Sequence, residues 1–312
     1  AFGSDILLVP QDAVAAAASA LVGQGHAVWP ATRVSEPVLW EAAHAPASDA
    51  ASARQLAGAW TLVQREEPPG AVTEEYTEGD GPLRLQTPGG LFVELRVPPT
   101  EGGASVDQRE ASFGGRCCAA AEGGLVLCTQ HRAVDFQPPL VVPPQSQVAF
   151  AAASMEAVGH PGAGHRELWA RLSGADDAAF VALELESEEP SPKHPRCGFW
   201  LFVGNRFARI LGPPRGSGLI AGTCCRSLSQ LQKLRGYADV RHELLECYEA
   251  VFGIVEKPGL LRCKRVASHP EKGEQVLLDA AGQGGRHGQV VVESDSVVYS
   301  PPGGGRETWR IV

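Results

Sequence analysis

Short apolar or alternating runs, broken every few residues by glycine and proline, constrain this chain more than any other feature. From Gly58 onward they are Ala59–Arg65, Leu83–Thr87, Leu91–Val97, Ala111–Cys118, Leu125–His131, Val148–Val158, His165–Leu172, Phe180–Glu186 and Gly198–Leu211. After a break at Pro213–Gly218 come Val240–Cys247, Tyr248–Val255, Leu260–Ala267, Gln275–Leu278 and Val290–Tyr299. About a dozen strands at intervals of about 8 to 15 residues predict a sandwich or an antiparallel barrel. The 36 glycines and 24 prolines among 312 residues supply the turns. Only Ser227–Leu234, with leucines three apart, has a helical spacing in this part of the chain. No repeat with a period of roughly 20 to 50 residues is visible, which argues against a propeller.

The first 57 residues differ in character. Phe2–Pro10 reads as a short extended piece, and Gln11–Gly23 as an amphipathic helix stopped by Gly23 and Gly25. Ala42–Arg54, rich in Ala and Ser, reads as part of a tether or docking arm. Beginning at Ala1, the chain is compatible with a processed mature form in an organelle, but the compartment is left open. At the other end, Gly282–Gly288 and Pro301–Gly305 read as flexible connections. This divides the chain into an arm with a helix (1–57), a β-barrel (58–278) and a Gly/Pro-rich extension with a final strand (279–312).

Composition excludes several functions. A net charge of −9 and a pI near 5.5 lack the basic face that nucleic-acid binding requires. No apolar run approaches the roughly 18 residues of a membrane-spanning helix, so a soluble protein is expected. Eight cysteines occur, none in C-x-x-C spacing, and the vicinal pairs Cys117-Cys118 and Cys224-Cys225 cannot chelate one zinc. Strand alternation sends vicinal cysteines to opposite faces. Reduced, buried thiols are therefore expected, the even count leaving disulfides open, and metal is not.

Several segments resemble a lipocalin-like (calycin) family of unassigned bacterial and fungal proteins. Gly58-Ala59-Trp60 is similar to the lipocalin opening, whose Trp plugs the closed end of the barrel. Leu83–Pro98, Phe113-Gly114-Gly115, Ala133–Pro139, Glu156 with His165–Trp169, and Glu249–Gly253 followed by Leu260–Arg265 resemble its successive strands. The sequence departs from the family pattern at Arg84, Gly90 and Glu94. The resemblance runs from Gly58 to Leu278 and implies one lipocalin-like antiparallel barrel, without any chemistry.

Pleating puts Phe92, Glu94 and Arg96 on one face and Val93 and Leu95 on the other. With the second pair outward, Glu94 and Arg96 point into the lumen, where Gln86 joins them. Such a pair either fixes a polar head group or satisfies itself as an internal ion pair; the latter is the reading taken. Asp135, ahead of Phe136-Gln137 and Pro-Pro, is expected to accept turn amides. Gln86, Phe92, Glu94, Arg96, Asp135 and Trp169 are the candidate ligand-binding residues. His131, His160 and His165 match no metal spacing, and His165 with Glu167 reads as a surface pair. No G-x-S-x-G elbow and no phosphate loop is present, so no residue is assigned as catalytic and the cofactor is unknown.

Phe199-Trp200-Leu201-Phe202-Val203 is apolar on both faces, so something must cover its outside: the N-terminal helix, or a partner protein. Three functions follow. The first is non-catalytic binding of a small, largely apolar ligand in the barrel. The second is a structural accessory subunit of a larger assembly, anchored by the arm. The third is an enzyme at the barrel mouth built on Glu94, Arg96 and Asp135.

Overall fold

A computed structural model of the chain describes residues 48–77, 80–96, 112–135, 143–160, 164–172, 179–192, 195–214, 247–257, 260–266, 275–279, 288–292, 296–302 and 304–312. The expected helices at Gln11–Gly23 and Ser227–Leu234, the Phe136–Pro139 motif end and Cys224-Cys225 lie outside these residues. The described fold is mainly β. A short helix, α1 (Ala50–Leu56), leads into β1 (Gly58–Glu66), β2 (Val72–Glu75), β3 (Leu83–Gln86), β4 (Leu91–Leu95) and β5 (Phe113–Glu122). There follow β6 (Leu125–Asp135), β7 (Gln145–Ala151), β8 (Ser154–His160) and β9 (Arg166–Arg171). The order β1-β3-β4-β5-β6-β7-β8-β9 returns from β9 to β1, closing an eight-stranded antiparallel barrel, with β2 paired to the far end of β1.

The barrel expected to run from Gly58 to Leu278 thus closes by Arg171. Its remaining segments join a second sheet made of β10 (Phe180–Glu189), β11 (Cys197–Val203), β12 (Arg206–Gly212), β13 (Glu249–Lys257), β14 (Leu260–Val266), β15 (Gln275–Asp279), β16 (Gln289–Val292), β17 (Ser296–Ser300) and β18 (Arg306–Ile311). Its order is β15-β14-β13-β12-β11-β10-β18-β17-β16. The stretch after 279 is therefore more than an extension: it contributes three strands to this sheet. Val290–Tyr299, read as one strand, is the hairpin β16–β17. Tyr299 Oη and the Gly288 amide both donate to the Leu277 carbonyl, at 3.3 and 3.2 Å, drawing the two edges of the sheet together.

The two sheets lie back to back. Leu83, Leu85, Val93 and Leu95, facing out of the barrel, share one buried cluster with Phe199, Leu201, Val203, Ile210 and Phe252. The cover over the doubly apolar strand β11 is thus the outer wall of the barrel, the second half of the chain having its own inner face to fill. Contact is close: a Cβ on Gly114 would stand 2.8 Å from Ile210 Cγ2. The other face of β11 turns Trp200 into the second sheet's interior, where Phe207, Tyr299 and Trp309 pack with it. Trp200 meets Tyr299 and Trp309 edge-on at 5.4 and 5.7 Å.

The helix closes one end of the barrel. Asp49 caps it by accepting from the Ala51 and Ser52 amides. Leu56 is buried among the inward residues of the barrel, and its carbonyl accepts a 2.9 Å hydrogen bond from Trp60 Nε1. Trp60 is fully buried there, with the Arg171 guanidinium 4.4 Å from its ring centroid. The β3–β4 turn at this end needs Gly90 in left-handed conformation (φ 84°), and a Cβ there would approach the Cys117 carbonyl to 2.5 Å.

Candidate functional site

Strand alternation brings a polar set into the barrel from the neighbouring strands β3 and β4 and from β9, which closes the ring. Arg84 and Gln86 on β3, Glu94 on β4 and Glu167 and Trp169 on β9 are all buried. Arg84 donates to Gln86 Oε1 from Nε (3.2 Å) and Nη2 (2.6 Å), and its Nη1 lies 3.5 Å from Glu94 Oε2. Arg96, just past β4, reaches Glu94 Oε1 at 2.6 Å and forks onto Glu167 at 3.0 and 3.2 Å. Trp169 Nε1 donates to the same Glu167 at 3.2 Å. At the β6 end, Arg132 pairs with Asp135 at 3.1 Å and lies over the Phe113 ring, 3.4 Å from its centroid. Burial raises the pKa of Glu167, but the Arg96 charge and hydrogen bonds more than offset it and hold the carboxyl down at about 2.

Above this network lies a cavity of about 280 Å³. Its inner part is apolar: Leu56, Val148, Met155 and Trp169. Its outer part, where β1 and β6 end and β7 begins, carries Arg65, Arg96, Arg132, His165 and Gln145. Four arginines and one carboxylate, Glu167, line the cavity, and each arginine also has a carboxylate partner: Glu67 for Arg65, Glu94 for Arg84, Glu94 and Glu167 for Arg96, and Asp135 for Arg132.

The expected residues are placed as follows. Gln86, Phe92, Glu94, Arg96, Asp135 and Trp169 all belong to the closed barrel. Arg96 and Trp169 line the cavity. Glu94 and Gln86 sit in the ion network that supports Arg84 and Arg96, while Phe92 packs with Phe113, ring centroids 6.0 Å apart. Asp135 is held by Arg132. Glu167 is a buried partner of Arg96, whereas His165 and Glu167 were expected as a surface pair; the residue that changes the reading comes from a strand 71 positions earlier. Arg65, Arg84, Arg132 and Leu56 were not singled out. For the three arginines, on β1, β3 and β6, strand register was the available signal, but it becomes specific only once the barrel closes; Leu56 lies in α1.

Among the described residues no group of three or more His, Cys, Asp and Glu could hold a metal ion, and no helix is long and apolar enough to cross a membrane. Fold and cavity together define a closed β-barrel with an interior able in principle to enclose a small ligand. No protein-family model matches the chain, and no curated protein does. A solved structure similar to it is that of an uncharacterized protein, YLR301w, of Saccharomyces cerevisiae, at 12% identity. The alignment covers 81% of this chain and 97% of that one with a TM-score of 0.47, too low to carry a functional argument.

Proposed function

We propose that the chain binds, without transforming it, a small molecule with an apolar body and an acidic head in the lumen of the first barrel. The supporting observation is the polarity of the cavity: apolar side chains at its closed end, arginines toward the end where β7 begins. At about 280 Å³ it falls at the lower edge of ligand sites, which run from roughly 300 to 1,000 Å³. A guanidinium pairs with a carboxylate through two parallel hydrogen bonds, which a neutral head cannot match. The ligand is thus less apolar than the strand pattern suggested, and a lipocalin-like use of the barrel remains part of this proposal. Gln86 and Glu94 support the arginines in it; Arg96, Arg132 and Trp169 meet the ligand.

Titration with decanoate and, separately, decanol tests this reading. Decanoate should bind about tenfold more tightly than decanol, and Arg132→Met should remove most of that preference while the alcohol's affinity stays unchanged. Failure of both to bind, or an equal affinity for the two, would overturn it.

The accessory-subunit reading has one observation in its favour. Phe180, Val181, Ile311 and Val312 are exposed, between 37% and 51%, on the paired ends of β10 and β18. Native mass spectrometry of protein isolated from its source separates the two: a bound small molecule supports the first, partner polypeptides at fixed stoichiometry the second.

A further inference from the structure

We propose that Cys128 and Cys117 form a redox-active dithiol inside the first barrel, in which Cys128 reacts with a hydroperoxide entering the cavity and Cys117 resolves the product to a disulfide. This goes beyond ligand binding; it shares the cavity, Arg84 and Glu94 with that reading, and adds the two cysteines.

The geometry starts from the β5–β6 ladder. Cys117 faces Gln130 and Cys128 faces Ala119, so the two cysteines are diagonal neighbours whose side chains both turn inward. Both are reduced and buried. Cys128 nevertheless lines the cavity, whereas Cys117 lies behind it toward the closed end. Arg84 Nη2 stands 4.0 Å from Cys128 Sγ, placing a guanidinium beside the sulfur that a small molecule reaches first.

Three groups on three strands face Cys128: Arg84 from β3, Glu94 from β4 and Cys117 from β5. The neighbouring Cys117 thiol and the Arg84 charge, working against burial, lower the Cys128 thiol below its usual value; Glu94 opposes this weakly. The same proximity, together with burial, pushes Cys117 well up, so it stays protonated, its Sγ donating to the Cys118 carbonyl at 3.9 Å. Elsewhere burial pushes Cys197 and Cys263 up to about 12, leaving them as inert thiols.

In the first step the Cys128 thiolate attacks one peroxide oxygen. An S–O bond forms, the O–O bond breaks, and the departing alkoxide takes a proton to leave as alcohol, or as water when the peroxide is hydrogen peroxide. Arg84 is positioned to stabilise the charge on that departing oxygen. In the second step Cys117 attacks the Cys128 sulfenic acid. The S–S bond forms, the S–O bond breaks, and hydroxide leaves with the Cys117 proton as water. Two electrons pass from the two sulfurs to the peroxide, and a thiol reductant restores the pair by exchange.

The test uses the full reduced chain with hydrogen peroxide and, in parallel, cumene hydroperoxide at neutral pH. Cys128 should oxidise about tenfold faster than free cysteine, whose thiolate fraction is much smaller there, and peptide mapping should find one bridge, Cys117 to Cys128. Cys117→Ser should halt the reaction at a Cys128 sulfenic acid trapped by dimedone. Arg84→Met should slow the first step about tenfold at neutral pH and move its pH profile upward, while Arg84→Lys keeps most of the rate. Reaction of Cys128 no faster than free cysteine overturns the proposal. So does a sulfenic acid in Cys117→Ser that forms on another cysteine. If Arg84→Met does not fold, the trapping experiment and the Arg84→Lys profile decide alone.

Discussion

Glu167 receives three hydrogen bonds from two side chains, Arg96 and Trp169, and is 7% exposed. Its ordinary value of 4.5 falls to about 2 in the fold, the Arg96 charge outweighing the effect of burial. A carboxyl lowered in this way stabilises the fold fully above its unfolded value, and the contribution is lost as pH falls toward the folded value. Stability should therefore decline as pH drops from about 4.5 to about 2, measured as the urea midpoint at each pH. Glu167→Gln should cost about 3 kcal/mol at neutral pH, because the half-buried Arg96 is then left with Glu94 alone. The same variant should flatten the decline in acid. Glu167 was visible in the sequence as a strand residue beside Trp169, but its partner lies 71 residues away, beyond what local spacing encodes.

At the scale of elements, the strands were read more accurately than the helix. The runs Ala59–Arg65, Leu125–His131 and Phe180–Glu186 correspond to β1, β6 and β10, because alternation reports directly on a wall with two faces. β2 was missed: Val-Thr-Glu-Glu is mostly exposed and pairs only with the end of β1. Helix α1 fell inside a stretch read as a tether, since seven residues with only Ser52, Ala53 and Leu56 buried leave no helical period to detect. Its task is nonetheless definite, as Leu56 closes the barrel beneath the cavity and accepts from Trp60. Leu56→Ala should lower stability by about 2 to 5 kcal/mol in thermal unfolding. It should also red-shift the tryptophan fluorescence, as water reaches Trp60 through the opened end. An unchanged melting temperature would mean that α1 is dispensable to the barrel.

Across the whole molecule, the two sheets repeat one closing device. On the β1–β9 seam Leu62 faces Trp169, a bulge follows, and Glu66 faces Arg166; on the β10–β18 seam Leu185 faces Trp309, a bulge follows, and Glu189 faces Arg306. In both, the glutamate two before the Trp accepts its indole N–H and an arginine, Arg96 for Glu167 and Arg209 for Glu307. The interiors then diverge: aromatic rings pack the second sheet around Arg209, while the first barrel keeps a cavity. Because Leu201 is fully buried between the halves, wild-type unfolding should be a single transition, with hydrogen exchange in β4 and β11 reporting the same free energy. Leu201→Asp, which buries an unpaired charge, should separate the two strands in that measurement. The β class, and the sorting of Phe92, Glu94 and Arg96 onto one face and Val93 and Leu95 onto the other, were present in the sequence, since a period of two needs no knowledge of the rest of the chain; which face is inward was not. The division into two sheets, the arginine partners and the covering of β11 were not. They depend on which strand β1 meets when the ring closes, and that choice of β9 is made by packing between residues about a hundred positions apart.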